Sequence, residues 1–181
     1  WHLGEEPERN PTLHGFNQFY GLLHSNDMPP VELYDGTNVV EFPVDQTTLT
    51  KRYTNRATDF IQRNKDKPFF LYLSHAFPHV PRYAAKEFEG RSEAGLYGDV
   101  VEELDWSTGE ILATLKELGL DDNTFIVFTS DNGPWWEGSA GKYRDRKGSS
   151  WEGGLRVPFI ARWPDKIPAG VVSNEPAMNI D

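Results

Sequence analysis

The stretch TFIVFTSDNGPWW, residues 124–136, joins an apolar run to a polar end. Its β-branched and aromatic residues are typical of a strand buried in a sheet. The run stops at Asp131, Asn132 and Gly133, which supply a carboxylate and an amide carbonyl. Hard cations prefer such oxygens as ligands, but these residues are also typical of a tight turn. The motif alone favours the turn, and a metal site is the second interpretation.

Two segments carry apolar side chains every three to four positions, which predicts helices. The first covers residues 48–64, and the Asp66-Lys67-Pro68 break should end it. The second covers residues 96–120 and should stop at Gly119. The inward face of the first helix is expected to consist of Leu49, Tyr53, Ala57, Phe60 and Ile61.

Two further apolar runs predict strands in addition to residues 124–130. Residues 68–75, PFFLYLSH, lack polar alternation and should be covered on both faces. Residues 155–164, LRVPFIARWP, contain Pro158, which indicates an edge position or a bend. The order of elements predicts an α/β fold, layered α/β/α, with a mostly parallel central sheet. Ligands gather at the carboxyl ends of such strands, where two of these runs end in polar residues.

Composition limits the class of partner. The 181 residues carry a formal net charge of -10, which argues against nucleic acid or an anionic membrane surface as the main partner. The absence of cysteine excludes disulfides and thiolate metal sites within this sequence. No apolar run reaches the roughly 18–20 residues that a membrane-spanning helix needs.

The motif SHAFPHVP, residues 74–81, holds two histidines four positions apart. Histidine can act as a general acid near neutral pH or face an anion. Pro78 and Pro81 argue against a helical zinc-binding pair. A loop histidine is ordinarily a surface or packing residue, so the motif alone leaves the roles of His75 and His79 open.

The loop GKYRDRKGSSWEGG, residues 141–154, concentrates positive charge in an acidic chain. Four cations within six positions, beside glycines and serines, suit an anionic ligand. Asp145 and Glu152 dilute this charge, and a solvated loop is the ordinary interpretation. The four cations are Lys142, Arg144, Arg146 and Lys147.

The chain resembles the sulfatase family, of the arylsulfatase A type, in an ordered series of motifs that covers nearly its whole length. SDNG followed by KGSSWEGGLRVP is the most specific combination. The motifs are, in order, WHLG, HGFNQFYG, PFFLYLSHAFPHVP, GDVVEELD, TFIVFTSDNGPW and RKGSSWEGGLRVPFIARWP.

The resemblance implies an alkaline-phosphatase-like fold and the hydrolysis of sulfate esters. Residues 1–181 are then expected to form the central-to-C-terminal part of a catalytic domain, without its N-terminal nucleophile region and its C-terminal subdomain. The family's nucleophile is a formylglycine made from Cys or Ser, and its metal is Ca²⁺, with Mg²⁺ as the alternative. Asp131 and Asn132 match the Asp-Asn pair of that metal site, whose other ligands are expected outside this segment.

The resemblance implies catalytic roles for two histidines. His2 matches the histidine that hydrogen-bonds the formylglycine hydrate, and we assign it a proton transfer. His79 matches the histidine near the bridging oxygen, where it would serve as general acid for the leaving alcohol. Lys147 matches the lysine that holds a sulfate oxygen, and Ser25 matches a polar substrate contact.

Two alternatives share this fold. A phosphodiesterase or phosphonate hydrolase of the same superfamily would act on phosphorus, and a non-catalytic sulfatase-like protein would only bind anions. The expected partners are a sulfated small molecule or glycan and a formylglycine-generating or sulfatase-maturing enzyme. The isolated segment is expected to be inactive. A periplasmic or secreted bacterial location is favoured, with the lysosome as the alternative.

Overall fold

Helix α1, Leu49–Asn64, forms where the apolar spacing predicts it. The structure is a computed structural model and describes residues 1–175. The helix ends before the Asp66-Lys67-Pro68 break, as expected. Its buried apolar residues follow one another at intervals of four and confirm four of the five predicted inward residues: Leu49, Tyr53, Ala57 and Ile61. Phe60, the fifth, is only half-buried.

Helix α2, Gly95–Glu117, confirms the second prediction and runs through Gly109 without interruption. Its end is closed by two backbone hydrogen bonds, from Leu120 N to Leu115 O at 2.8 Å and from Gly119 N to Lys116 O at 3.1 Å. Gly119 adopts a φ of 69°, which glycine reaches without steric cost. The predicted glycine stop is therefore correct.

The inward face of α2 is more polar than its apolar repeat suggested. Asp99, Glu103 and Ser107, one turn apart, are all buried. Asp99 accepts hydrogen bonds from the backbone N–H groups of Gly90 and Ser92, both at 2.8 Å. Glu103 Oε2 accepts the N–H of Ala85 at 2.9 Å, so this stripe fixes the turn of residues 85–92 against the helix.

The chain forms two compact units, Trp1–Thr114 and Leu115–Asp181. The first unit contains an antiparallel three-stranded sheet in the order β1-β2-β3. Its core includes Leu33, Leu49 and Val100. The strands are Tyr20–Gly21 (β1), Leu33–Asp35 (β2) and Asn38–Glu41 (β3).

The strand predicted at residues 68–75 is absent from the described structure. Alternate side chains point outward, and Phe70 and Tyr72 remain 73% and 63% exposed. Leu73 packs against the core from the other side. An apolar run without polar alternation predicts cover on both faces, but residues 1–175 cover only one of them here.

The second unit contains β4, Ile126–Thr129, paired antiparallel with β5, Phe159–Arg162. Both strands were predicted, and Pro158 lies immediately before β5. The predicted burial of β4 is wrong, because Val127 and Phe128 are exposed. Every strand pair within residues 1–175 is antiparallel, so the mostly parallel central sheet is not confirmed. A membrane-crossing helix is likewise absent from these residues.

Candidate functional site

Asp27 lies at the centre of a polar cluster in the first unit. Its carboxylate accepts a hydrogen bond from the Ser25 side chain, and the charges of His79 and His2 also act on it. These interactions, the Ser25 hydrogen bond foremost, lower the pKa of Asp27 below its ordinary value. The first unit thus brings together three of the six predicted site residues, His2, Ser25 and His79.

Hydrogen bonds between residues that are distant in the sequence hold the segments of this cluster together. The backbone N–H of His2 donates to the carbonyl of Leu23 at 2.8 Å. Asn26, which is buried, donates from Nδ2 to the carbonyl of Pro81 at 2.9 Å and to Gln46 Oε1 at 3.1 Å. Asn26 therefore ties the loop that carries Ser25 and Asp27 to the loop that carries His79.

The tautomer of His79 follows from its contact with the backbone. His79 Nδ1 lies 2.6 Å from the carbonyl oxygen of Val80. A carbonyl can only accept a hydrogen bond, so Nδ1 carries the proton and donates it. Nε2 is then the nitrogen left to exchange a proton with a bound molecule. This arrangement suits a general acid or base.

His2 adopts a backbone conformation that is uncommon for its residue type. Its φ is 61°, in the left-handed region that favours glycine, and its side chain is exposed. Non-glycine residues in this region cluster at functional sites, where the surrounding structure holds them in place. The hydrogen bond to Leu23 supplies one such restraint.

Asp131 and Asn132 follow β4 directly in the second unit. Ser130 Oγ donates to Asp131 Oδ1 at 3.4 Å, and Asn132 Nδ2 donates to the Gly133 carbonyl at 2.9 Å. The amide nitrogen of Asn132 is thereby engaged, which leaves its carbonyl oxygen as a ligand atom. A carboxylate and an amide oxygen fit a hard divalent cation.

Two oxygen donors are fewer than the six to eight ligands that Ca²⁺ takes. No three His, Cys, Asp or Glu side chains converge to hold a metal within residues 1–175. The pair therefore fits part of a calcium site.

Gly133, Gly153 and Gly154, which we call the glycine knot, pack the long loop of the second unit against the turn that holds Asp131 and Asn132. Gly133 N donates to the Gly154 carbonyl at 2.9 Å, and Gly153 N donates to the Arg144 carbonyl at 2.9 Å. A Cβ atom on Gly154 would lie 2.5 Å from Ser149 O and 2.6 Å from Arg146 O. Only glycine permits this close approach of backbones.

Lys147 lies inside this knot. Its backbone N–H donates to the Pro134 carbonyl at 3.0 Å, which ties it to the turn that follows Asp131 and Asn132. The preceding Arg146 donates from its guanidinium to the carbonyls of Trp135 at 3.0 Å and Gly138 at 2.6 Å. Arg146 thus stabilises the loop, and the second unit carries the remaining three predicted site residues.

Sequence reasoning missed two residues of the first unit's cluster. Asp27 stands two positions after Ser25, and that proximity was the one available signal. Asn26 had no signal, because its partner Pro81 is 55 residues away. Its role as a connection between loops becomes apparent only in three dimensions.

Comparison with known proteins gives a consistent result. The Sulfatase family model matches residues 1–181. The chain is 39% identical to human (Homo sapiens) N-acetylgalactosamine-6-sulfatase, with 97% of this chain and 38% of that protein covered. It is 43% identical to human steryl-sulfatase, with 90% and 30% covered.

Solved structures show the same similarity. The PsFucS1 sulfatase from Pseudoalteromonas sp. superposes with a TM-score of 0.81 at 32% identity, covering 90% of this chain and 41% of that one. Ps i-CgsB in complex with k-i-k-neocarrahexaose gives a TM-score of 0.80 at 29% identity, covering 94% and 44%. This chain spans less than half the length of each protein it matches. It belongs to the sulfatase family.

Proposed function

We propose that the longer protein containing this chain hydrolyses sulfate esters. The observation that carries the proposal is the convergence of His2, Ser25 and His79 around Asp27 in a member of the sulfatase family. Sulfuryl transfer resembles phosphoryl transfer in that positioning and charge neutralisation supply most of the catalysis. Two imidazoles and a hydroxyl around one carboxylate suit that chemistry, because the leaving group and the nucleophile each need a proton transfer.

In this proposal His79 is the general acid. Its Nδ1 proton is engaged by the Val80 carbonyl, so Nε2 delivers the proton to the departing alkoxide. His2 makes the other proton transfer, which takes a proton from the nucleophile. Ser25 hydrogen-bonds the substrate, and Lys147 neutralises a sulfate oxygen.

Asp131 and Asn132 would provide two oxygen ligands to Ca²⁺. When bound, Ca²⁺ and a formylglycine would supply charge neutralisation at the sulfate and the attacking hydroxyl, respectively. The formylglycine, the remaining ligands and the maturing enzyme that makes the formylglycine belong to the proposal for the longer protein. The glycine knot keeps the two oxygen ligands and Lys147 on one rigid loop.

We also propose that the longer protein completes a layered α/β/α fold with a mostly parallel sheet. The support is the exposed apolar surface that residues 68–75 and β4 retain in this chain. Extended segments with exposed apolar side chains gain stability when another strand or helix covers them. A sulfated glycan is the substrate class we favour, since the similar Ps i-CgsB is described in complex with neocarrahexaose.

The test uses the full-length protein, produced together with a formylglycine-generating enzyme. We expect hydrolysis of a chromogenic aryl sulfate to exceed that of the matching aryl phosphate. His79→Ala should lower kcat/KM by about 10²–10⁴-fold, and more for an alkyl sulfate than for an aryl sulfate, because a poor leaving group depends more on the acid. His14→Ala is the control, since His14 contacts Trp1 and the Glu8 carbonyl instead.

Three results would count against the proposal. Faster turnover of the phosphate ester would favour a phosphatase or phosphodiesterase, and no turnover of either ester would favour a binding protein. An equal loss in His79→Ala for both leaving groups would exclude His79 as the general acid.

A further inference from the structure

Side-chain hydrogen bonds hold the loop that carries His79, residues 77–85, which we call the His79 loop. Pro78 and Pro81 stand on either side of this histidine, and proline has no N–H with which to bond another part of the backbone. The carbonyls of both prolines accept hydrogen bonds from side chains instead. The conformation of the loop therefore depends on a few identifiable side chains.

Arg82 contacts the backbone directly before His79. Its Nε donates to the carbonyl of Pro78 at 3.0 Å, and this carbonyl belongs to the peptide group that joins Pro78 to His79. The N–H groups of a guanidinium form a rigid planar fork, so the bond has a defined direction. The contact fixes the peptide from which the His79 residue begins.

Helix α2 restrains Arg82 in turn. The guanidinium carbon lies 5.2 Å from the centre of the Tyr97 ring, and Tyr97 stands in the first turn of α2. A cation over an aromatic face at this distance is attracted to the ring. Arg82 thus connects α2 to the peptide before His79.

Both ends of the His79 loop are anchored in the first unit. Phe77, at its start, packs in the hydrophobic core. Ala85, at its end, is buried in the same core, and its N–H donates to Glu103 Oε2 on α2 at 2.9 Å. The Arg82 hydrogen bond acts between these two anchors, next to the histidine.

The imidazole of His79 follows the backbone of this loop. Its Nδ1 donates to the carbonyl of Val80 at 2.6 Å, so the ring is tied to its own neighbour in the chain. A change in the peptide before His79 therefore moves the ring and its Nε2 atom. Proton transfer needs heavy atoms within about 2.6–3.2 Å, and a misplacement of about 1 Å costs about 10²-fold in rate.

We propose that Arg82 is a positioning residue for His79 and holds the imidazole where Nε2 delivers a proton to the leaving alcohol. This inference rests on the proposed sulfatase function and on the role of His79 as its general acid. Arg82 acts through the backbone of the loop and makes no contact with the substrate.

The test measures kcat and KM of the full-length, formylglycine-containing protein for an alkyl sulfate and a chromogenic aryl sulfate. For the alkyl sulfate, Arg82→Ala should lower kcat by about 10–10²-fold and leave KM within about twofold. For the aryl sulfate, kcat should fall less than about threefold, because a good leaving group depends less on the acid. An equal fall in kcat for both substrates would overturn the inference.

Arg91→Ala is the matched control. The guanidinium of Arg91 also lies over an aromatic ring, at 5.0 Å from the centre of Phe88, but Arg91 stands outside the His79 loop. Its removal should leave kcat for both substrates unchanged. A fall in kcat equal to that of Arg82→Ala would show a general effect of lost arginine contacts and overturn the assignment.

A double variant separates positioning from general damage to the fold. If Arg82 acts through His79, Arg82→Ala should change kcat less than about twofold in a protein that already carries His79→Ala. A loss as large as in the wild-type background would show that Arg82 supports the fold as a whole, and would overturn the inference. A raised KM with unchanged kcat would make Arg82 a substrate contact and would also overturn it.

Tyr97 variants leave Arg82 in place and remove only its restraint. Tyr97→Ala should lower kcat for the alkyl sulfate by about three- to tenfold, whereas Tyr97→Phe keeps the ring and should retain wild-type kcat. The melting temperature of each variant verifies that it is folded. Wild-type kcat in Tyr97→Ala would refute the connection to α2.

The wild-type protein separates failure of the inference from failure of the function. An active protein in which Arg82→Ala keeps wild-type kcat for the alkyl sulfate would overturn the inference alone. A wild-type protein that hydrolyses neither sulfate ester would refute the sulfatase proposal, and this inference with it.

Discussion

Gly154→Ala tests the claim that the glycine knot positions Lys147 and the proposed metal ligands, Asp131 and Asn132. Gly154 lies in the short helix α3, Glu152–Leu155, where helix propensity alone favours alanine over glycine by about 1 kcal/mol. Crowding predicts the opposite result. The new Cβ would lie 2.5 Å from Ser149 O and 2.6 Å from Arg146 O, both of which are backbone atoms.

The structure sets the size of the effect. Ordinary contact begins at 3.4 Å, so the Ser149 carbonyl or the helix must move by about 0.9 Å. Overpacking of this kind costs about 1–3 kcal/mol, which exceeds the propensity gain over most of that range. The Gly154 carbonyl also accepts the N–H of Gly133, next to Asn132. A shift approaching 1 Å at such groups lowers turnover by about 10²-fold.

Activity and melting temperature of the full-length protein should be measured together. We expect kcat/KM for an aryl sulfate to fall about 10²-fold and Tm to fall by a few degrees. Gly109→Ala makes the same chemical change in α2, where a Cβ meets nothing within 4 Å, and should leave activity intact. If Gly154→Ala matched Gly109→Ala in both readouts, the knot would not position the site.

Two further predictions concern single titratable groups. Asp131→Ala should abolish sulfate-ester turnover and lower the Ca²⁺ content measured by atomic emission. The control, Asp165→Ala, should change neither. Metal and activity retained in Asp131→Ala would contradict the proposed role of Asp131 as a metal ligand. Burial lowers the pKa of His75 from 6.5 to about 4, so the unfolded state alone takes up a proton between these values. Stability is then unaffected above about pH 6.5 and falls by on the order of 3 kcal/mol as the pH drops to about 4, and urea unfolding of His75→Gln should lack this slope.

The parts of the fold that were predicted correctly depend on local signals. α1 follows from apolar residues at intervals of four. α2 stops two residues before Gly119, because glycine alone reaches a φ of 69° without cost. Both β4 and β5 were visible as β-branched and aromatic runs. In each case, the whole signal lies in residues that are close to one another in the sequence.

Burial and strand pairing were predicted less well for a physical reason. An apolar run predicts that a strand is covered, but it does not predict which part of the molecule covers the strand. Phe70 and Val127 belong to such runs and remain exposed in this chain. The polar stripe of Asp99, Glu103 and Ser107 was hidden because its partners lie in a separate turn or helix.

The candidate site depends both on signals that are local in the sequence and on contacts between distant residues. His2, Ser25 and His79 are separately unremarkable loop residues, and only the family resemblance joined them before the structure did. The bonds that unite them connect His2 with Leu23 and Asn26 with Pro81, across 21 and 55 residues. No local periodicity can encode contacts at those separations. The glycine knot differs, because its glycines are visible in the sequence, while the carbonyls they admit are not. Neither Asn26 nor Gly154 touches the substrate in our proposal. Asn26 nevertheless determines the position of the loop that carries His79, and Gly154 determines the position of the loop that carries Lys147.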